Sequence, residues 1–265
     1  MPQDIVLGWC GHHVFLGDSL YLLRQFPEGV FDAVIMDPPY ASGGLSFEAR
    51  TQPTSAKYTD NKTDNPLPDF LGDKRDQRSY TSWLAEVLRE CWRVLKSGGV
   101  VLCFCDWRQY PVVSDALQWA DLLWRGVVVW DKSEGVRPQL GRFRSQAEFV
   151  LWASKDDLPL ERGVGVLPGV YRVTTMTQNK LHQTEKPLEL MRRLCRIVVP
   201  GGLVLDPFCG SGTTVVAAKQ MGYSAVGIEL SGYYVGVACR RVAEAVQQTA
   251  LFEKAEIIKE DSVPF

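Results

Sequence analysis

The stretch from Leu203 to Glu229 constrains the fold more than any other. Leu203-Val204-Leu205 is a short apolar run that reads as a strand. It leads into Asp206-Pro207-Phe208-Cys209-Gly210-Ser211-Gly212-Thr213-Thr214, then a helix to Met221, then a strand from Ser224 to Ile228 that ends at Glu229. A strand, glycine turn, helix and strand in that order belong to a parallel sheet with helices on its faces. Such a unit places an adenosine-type ligand at the carboxyl edge of the sheet. Gly210 and Gly212 let backbone approach the ligand, and Glu229 can accept both hydroxyls of a ribose. The turn lacks the third glycine of a dinucleotide fingerprint and the lysine of a P-loop. That argues against a pyrophosphate or triphosphate ligand.

A second constellation lies upstream. Phe31-Asp32-Ala33-Val34-Ile35-Met36 reads as a buried strand, and Asp37-Pro38-Pro39-Tyr40 follows it directly. The two prolines fix φ and remove two donors, so the chain leaves the sheet stiffly with its carbonyls free to accept. Acceptors beside an aromatic face suit a flat ligand that carries an amino group. An ordinary strand-ending turn would also use Asp and Pro, so the tetrapeptide alone leaves both readings open.

The rest of the chain reads as further strands and helices. Strands are expected at Val14–Leu16, 100–105, Val127–Trp130 and Ala147–Trp152, the last two paired. Helices are expected after Asp18-Ser19, from Ser79 to the stop at Ser97-Gly98-Gly99, from Val112 to Trp119, from Pro187 to about Val198, and from Tyr233 to about Gln248. The expected architecture is therefore an α/β fold: a doubly wound, mostly parallel, seven-stranded Rossmann-like sheet spanning residues 1–265 as a single domain. Residues 41–78, rich in Ser, Thr, Asn, Asp, Gly and Pro, read as a long mobile loop, of the kind that serves as a lid. Residues 154–181 read as irregular.

Composition narrows the setting. No apolar run approaches the roughly 20 residues that span a bilayer, and the start, Met1-Pro2-Gln3-Asp4, is unlike a signal peptide. The seven cysteines are odd in number and lie mostly in apolar runs, as buried thiols of a reducing compartment do. Cys103 and Cys105 with His12 and His13 lack a second pair at zinc spacing, so no metal is expected. The net charge of −2 does not advertise nucleic-acid binding, which must then rest on local basic patches.

The two constellations together carry a resemblance. Asp206-Pro-Phe-Cys-Gly-Ser-Gly-Thr-Thr resembles the S-adenosylmethionine motif of DNA amino-methyltransferases, and Asp37-Pro-Pro-Tyr resembles their DPPY-type catalytic motif. The order, catalytic before cofactor, is similar to the permuted β class of the N6-adenine and N4-cytosine family. Gly17-Asp18-Ser19, Arg93 to Gly99 and His182-Gln183-Thr184-Glu185-Lys186-Pro187 also fall where that class has motifs, so the likeness covers nearly the whole chain. It implies that Asp206, Phe208, Gly210, Gly212 and Thr213 line the methionine side of S-adenosyl-L-methionine. Glu229 would hold the ribose, Asp18 would contact the adenine ring and Lys186 would sit near the methionine carboxylate. Asp18 also fits a helix N-cap, and Lys186 a surface lysine.

The activity implied is methyl transfer to the amino group of a base extruded from double-stranded DNA. Extrusion costs a few kcal/mol, and stacking on Tyr40 would return roughly 1–3 kcal/mol. Asp37 and the Pro38 carbonyl would accept from the amino group, with Pro39 holding the turn, so that the nitrogen lone pair is freed for attack. In this family an Asp at the first motif position usually accompanies adenine-N6 activity, and Ser cytosine-N4; adenine is the expectation and cytosine-N4 the alternative. DNA contacts are expected from Arg137, Arg142 and Arg144 in a small target-recognition region, about 131–181, implying a short or relaxed target sequence. The setting implied is the cytoplasm of a bacterial or phage-infected cell, with a restriction-modification or phage-type role, as a monomer or homodimer. A nucleotide-dependent oxidoreductase on the same fold and a catalytically inert DNA-binding module are the competing classes. RNA offers the same adenine edge.

Overall fold

Eight strands form one sheet in the computed structural model, which describes residues 11–40, 75–134, 136, 140–175 and 185–246. They are β1 (His12–Leu16), β2 (Phe31–Met36), β3 (Leu95–Cys105), β4 (Leu123–Asp131), β5 (Ala147–Ser154), β6 (Val170–Arg172), β7 (Leu203–Asp206) and β8 (Ser224–Glu229). Their order is β1-β8-β7-β2-β3-β5-β4-β6. Neighbours run parallel except at β3–β5 and β5–β4. The expected count was seven. The eighth strand, β6, lies in the stretch read as irregular and pairs Tyr171 with Trp130 at the sheet edge. Only Tyr171 of its three residues is buried, too little for a periodic pattern.

Apart from Asp32, β2 is apolar because both of its faces are covered, as parallel strands require. Val34 and Met36 face one core with Leu84, Val87, Leu88 and Cys91; Ala33 and Ile35 face the other with Leu190, Leu194 and Val215. Helix α1 (Ser19–Leu23), α2 (Gln77–Val94) and α3 (Tyr110–Trp119) serve the first core, and α4 (Leu188–Cys195) and α5 (Thr213–Gln220) the second. α6 (Gly232–Glu244) closes the described chain, burying Tyr234, Ala238 and Val242. In α2, Tyr80, Leu84, Val87, Leu88 and Cys91 recur at helical spacing and are all fully buried. Each such aliphatic side chain contributes roughly 1.5–3 kcal/mol.

Several helix ends differ from expectation. α2 starts at Gln77, inside the segment read as a loop over 41–78, because Asp76 caps it by accepting from Arg78 and Ser79 amides. It stops at Val94; Leu95 is already extended, so Gly98 and Gly99 fall within β3 rather than ending the helix. α4 and α6 are each a turn shorter than read, α4 giving way to tight turns at Ile197 and Val198. Residues 41–74, which hold most of the supposed lid, and Arg137 lie outside the described residues.

The topology fixes where a site can be. From β2 the chain moves to β3 on one side, and from β7 to β8 on the other. β2 and β7 therefore flank a switch point, and the crevice beyond their carboxyl ends is where open α/β sheets bind ligands. Asp37 follows β2, and Asp206 ends β7.

Candidate active site

Both constellations come together at this edge. Val34 pairs with Leu205 and Leu205 with Val226, so Asp37, Asp206 and Glu229 close three adjacent strands on one side of the sheet. Gly17, after β1, donates to the Glu229 carbonyl at 2.9 Å and brings Asp18 alongside.

The glycine turn is built from backbone that only glycine adopts readily. Gly210 and Gly212 have φ of +50° and +84°. A Cβ on Gly212 would lie 2.8 Å from that of Ala238 on α6, so the turn is pressed against a helix. Asp206 is buried and accepts from the Phe208 amide at 3.0 Å. Burial pushes its carboxyl up to about 7, opposed by bonds from Thr214 and the Phe208 amide and reinforced by Asp37 and Glu229. The Phe208 ring rests half-buried on Trp83, 5.5 Å away. Thr213 turns inward: its hydroxyl donates to Glu185, and Arg241 reaches Ser211, Thr213 and Glu185 together.

Glu229 presents a carboxylate with capacity to spare. One oxygen accepts from the Gly210 amide at 3.0 Å, the other from the Ser231 amide at 2.8 Å. The Leu230 amide also bonds this carboxylate, and since each oxygen can accept about two hydrogen bonds, capacity for a hydroxyl donor remains. Asp18 is the N-cap of α1, accepting from the Tyr21 amide at 3.0 Å, and its side chain is exposed.

The Asp37–Tyr40 motif is held by a buried ionic cluster. Lys186 donates to Asp37 at 2.7 Å and to Glu148 at 3.0 Å. The Tyr40 hydroxyl lies 2.7 Å from Asp37 and 2.8 Å from Glu148. Lys132 donates to the other Glu148 oxygen at 2.6 Å. Gln109 donates to the Tyr40 carbonyl, fixing the end of the motif. Burial pushes Asp37 above its ordinary range, against the pull of Lys186. Burial also opposes charge on Glu148, but Lys186 and Lys132 outweigh it and hold that carboxyl at about 2. The cluster thus has two carboxylates and two ammonium groups. Lys186 is buried, not a surface lysine, and its side chain points to Asp37 and Glu148.

Glu148, Lys132 and Arg241 were given no role from sequence, nor was Glu185, although it stands in the His182–Pro187 motif. For Glu148 there was a signal: a lone charge at the start of the apolar run Ala147 to Trp152. Trp130 is core, its indole N–H donating to the Val173 carbonyl. Arg142 and Arg144 are exposed in the connection between β4 and β5, with Arg144 donating to the Glu134 carbonyl. His12 and His13 lie on β1, four strands from Cys103 and Cys105 on β3.

Residues 31–164 and 166–240 match the family model for DNA methylases of the N6/N4 type. The chain belongs to that DNA methylase family. Over 253 residues, 87% of this chain and 68% of its relative, the methylase is 29% identical to the type II methyltransferase M.HinfI of Haemophilus influenzae. Its fold is similar to that of TTHA0409 of Thermus thermophilus, solved with S-adenosyl-L-methionine, at 24% identity and a TM-score of 0.63, covering 89% of this chain and 96% of that one. It is also similar to the PvuII DNA methyltransferase, which is cytosine-N4-specific, at 17% identity and a TM-score of 0.66, covering 92% and 91%.

Proposed function

We propose that this DNA methylase transfers the methyl group of S-adenosyl-L-methionine to the N6 amino group of an adenine extruded from double-stranded DNA. The carrying observation is the convergence of Asp37-Pro38-Pro39-Tyr40 with the Asp206–Thr213 turn and Glu229 at one switch point. When bound, the cofactor supplies an electrophilic methyl on a sulfonium centre. The chain's residues fit it. Glu229 keeps acceptor capacity toward the ribose, and the positive-φ Gly210 and Gly212 expose backbone to a close ligand. Phe208 offers an apolar ring, Asp18 an exposed carboxylate, and Asp206 a carboxyl at the turn itself.

On the acceptor side, Asp37 and the Pro38 carbonyl take the two hydrogens of the amino group. This draws the nitrogen toward sp³ geometry and localises its lone pair. Asp37 then takes the proton that the methylated nitrogen loses. Positioning and charge placement supply most of the acceleration. The Asp at the first motif position favours adenine; the PvuII enzyme keeps cytosine-N4 as the second reading. Residues 131–181 serve as the target-recognition region of a single catalytic domain. Arg142 and Arg144 stand in the connection whose roots are Lys132 and Glu148, of which Glu148 meets Tyr40 and is held by Lys132.

The test is transfer of radiolabelled methyl from S-adenosylmethionine to synthetic duplexes that lack adenine or lack cytosine. Label is expected only in adenine-containing duplexes. Label in the adenine-free duplex would overturn the choice of base.

A further inference from the structure

Lys186 occupies the place that a target amino group needs. Its ammonium is a donor-only group lying 2.7 Å from Asp37 Oδ2 and 5.3 Å from the centre of the Tyr40 ring, which a base would stack on. A base amino group is also a donor seeking Asp37; Oδ2 keeps capacity for a second bond, but the ammonium beside it sits over the Tyr40 face that the base would cover. Expelling an ammonium from a buried carboxylate without a new partner leaves uncompensated charge, which is strongly unfavourable. Glu148 Oε1 is 3.0 Å from the same ammonium and is itself buried.

We propose that Glu148 is a positioning residue that receives Lys186 when the target amino group takes Asp37. It rests on the reading of Asp37 as the amino acceptor. Three features of the cluster suit this exchange. Lys186 already spans both carboxylates, so a small swing keeps it paired throughout. Lys132 holds the far oxygen of Glu148 at 2.6 Å, so the receiving carboxylate stays in place as Lys186 moves. The Tyr40 hydroxyl has one proton and two carboxylates within reach, so it can donate to whichever of them Lys186 serves less. No bond is made or broken in the exchange; an ion pair changes partner.

The experiment is steady-state methyl transfer by the full chain carrying Glu148→Gln, alone and with Lys186→Met. Gln keeps the shape and, with its oxygen toward Tyr40, still accepts from that hydroxyl, but its amide nitrogen then faces Lys132 and it lacks the charge that would receive Lys186. Glu148→Gln is expected to lower kcat by about tenfold or more while the KM for DNA and for S-adenosylmethionine changes less than about threefold. With Lys186→Met there is no ammonium to move, so adding Glu148→Gln should change kcat less than about threefold. Glu148→Asp, which restores the charge, should recover part of the loss. A kcat within about twofold of wild type, or an equal loss in both backgrounds, overturns the proposal. If Glu148→Gln melts far below wild type, Glu148→Asp alone and with Lys186→Met is read instead, a smaller loss confined to the Lys186 background being expected and its absence overturning the idea. Asp37→Ala separates the two levels: an active Asp37→Ala refutes the acceptor assignment, whereas an inactive one beside a fully active Glu148→Gln refutes only the exchange.

Discussion

Lys186 meets Asp37 at 2.7 Å across 149 residues of chain, and the residue before it, Glu185, meets Thr213 of the glycine turn and Arg241 of α6. Two consecutive side chains ahead of α4 therefore clip the Asp37–Tyr40 motif to the glycine turn. Asp37→Ala removes one end of that clip and leaves Lys186 paired with Glu148. Methyl transfer is expected to fall by at least about 10²–10³-fold, the scale of losing one group that meets charge developing in the transition state. Cofactor affinity, measured by calorimetry, should change less than about threefold, because Glu229 and the glycine turn are untouched. Retained transfer would remove Asp37 from the mechanism.

Gly212→Ala tests the turn itself. At φ +84° a side chain costs about 1–2 kcal/mol, and the new Cβ would also lie 2.8 Å from the Ala238 Cβ and 3.1 Å from its Cα, neither of which can yield easily. Gly141→Ala carries only the conformational part, since at φ +70° a Cβ there has nothing within 4 Å. Thermal melts should show Gly212→Ala losing more by about 4 °C or more, at roughly 2–4 °C per kcal/mol for a chain of this size. Equal losses would mean that α6 does not press on the turn.

What could be read in advance follows from periodicity and local spacing. β2, β3, β7 and β8 are apolar runs because helices cover both faces, and the glycine turn announces itself in nine consecutive residues. β6 was not legible because three residues with one buried side chain carry no period. Nor was the ionic cluster, whose members come from the end of β2, the roots of the β4–β5 connection and the entry to α4. Lys186 shows the boundary well: its place ahead of a helix was evident, but that its long side chain would reach both Asp37 and Glu148 depends on strand order. Asp18 was legible in its local role as a cap, since a cap needs only the next three residues.

The raised Asp206 carboxyl gives stability a definite pH slope. Its ordinary value is 3.8 and its folded value about 7. Between these the folded state holds a proton that the unfolded chain has released, so this group's contribution is fully present below 3.8 and is lost as pH rises through 7. The slope is about 1.4 kcal/mol of stability per pH unit wherever the proton count differs by one. Melting temperature measured without ligand from about pH 5 to 8 should therefore carry a downward component that Asp206→Asn removes. An unchanged slope in the variant would show that Asp206 is not the group titrating there.

Arg142 and Arg144 can be sorted by salt. The chain's net charge of −2 gives DNA no general attraction, so any electrostatic affinity must come from local clusters such as the one on the β4–β5 connection. If either arginine sits on a phosphate, its replacement by alanine weakens binding alike on all sequences and reduces the slope of log affinity against log salt by about 0.9. If it reads a guanine edge instead, the loss is about 1–3 kcal/mol on the target sequence only, relaxing specificity at one position. Arg144 already donates to the Glu134 carbonyl, which holds its guanidinium beside the connection and favours the phosphate role for it. Fluorescence anisotropy of the two single variants and the double variant, on target and non-target duplexes from about 50 to 200 mM salt, separates these outcomes. The expected result is a smaller salt slope in Arg144→Ala and a further reduction in the double variant. Unchanged affinity and slope in all three would make both residues solvated charges and move the DNA contact elsewhere on the sheet edge.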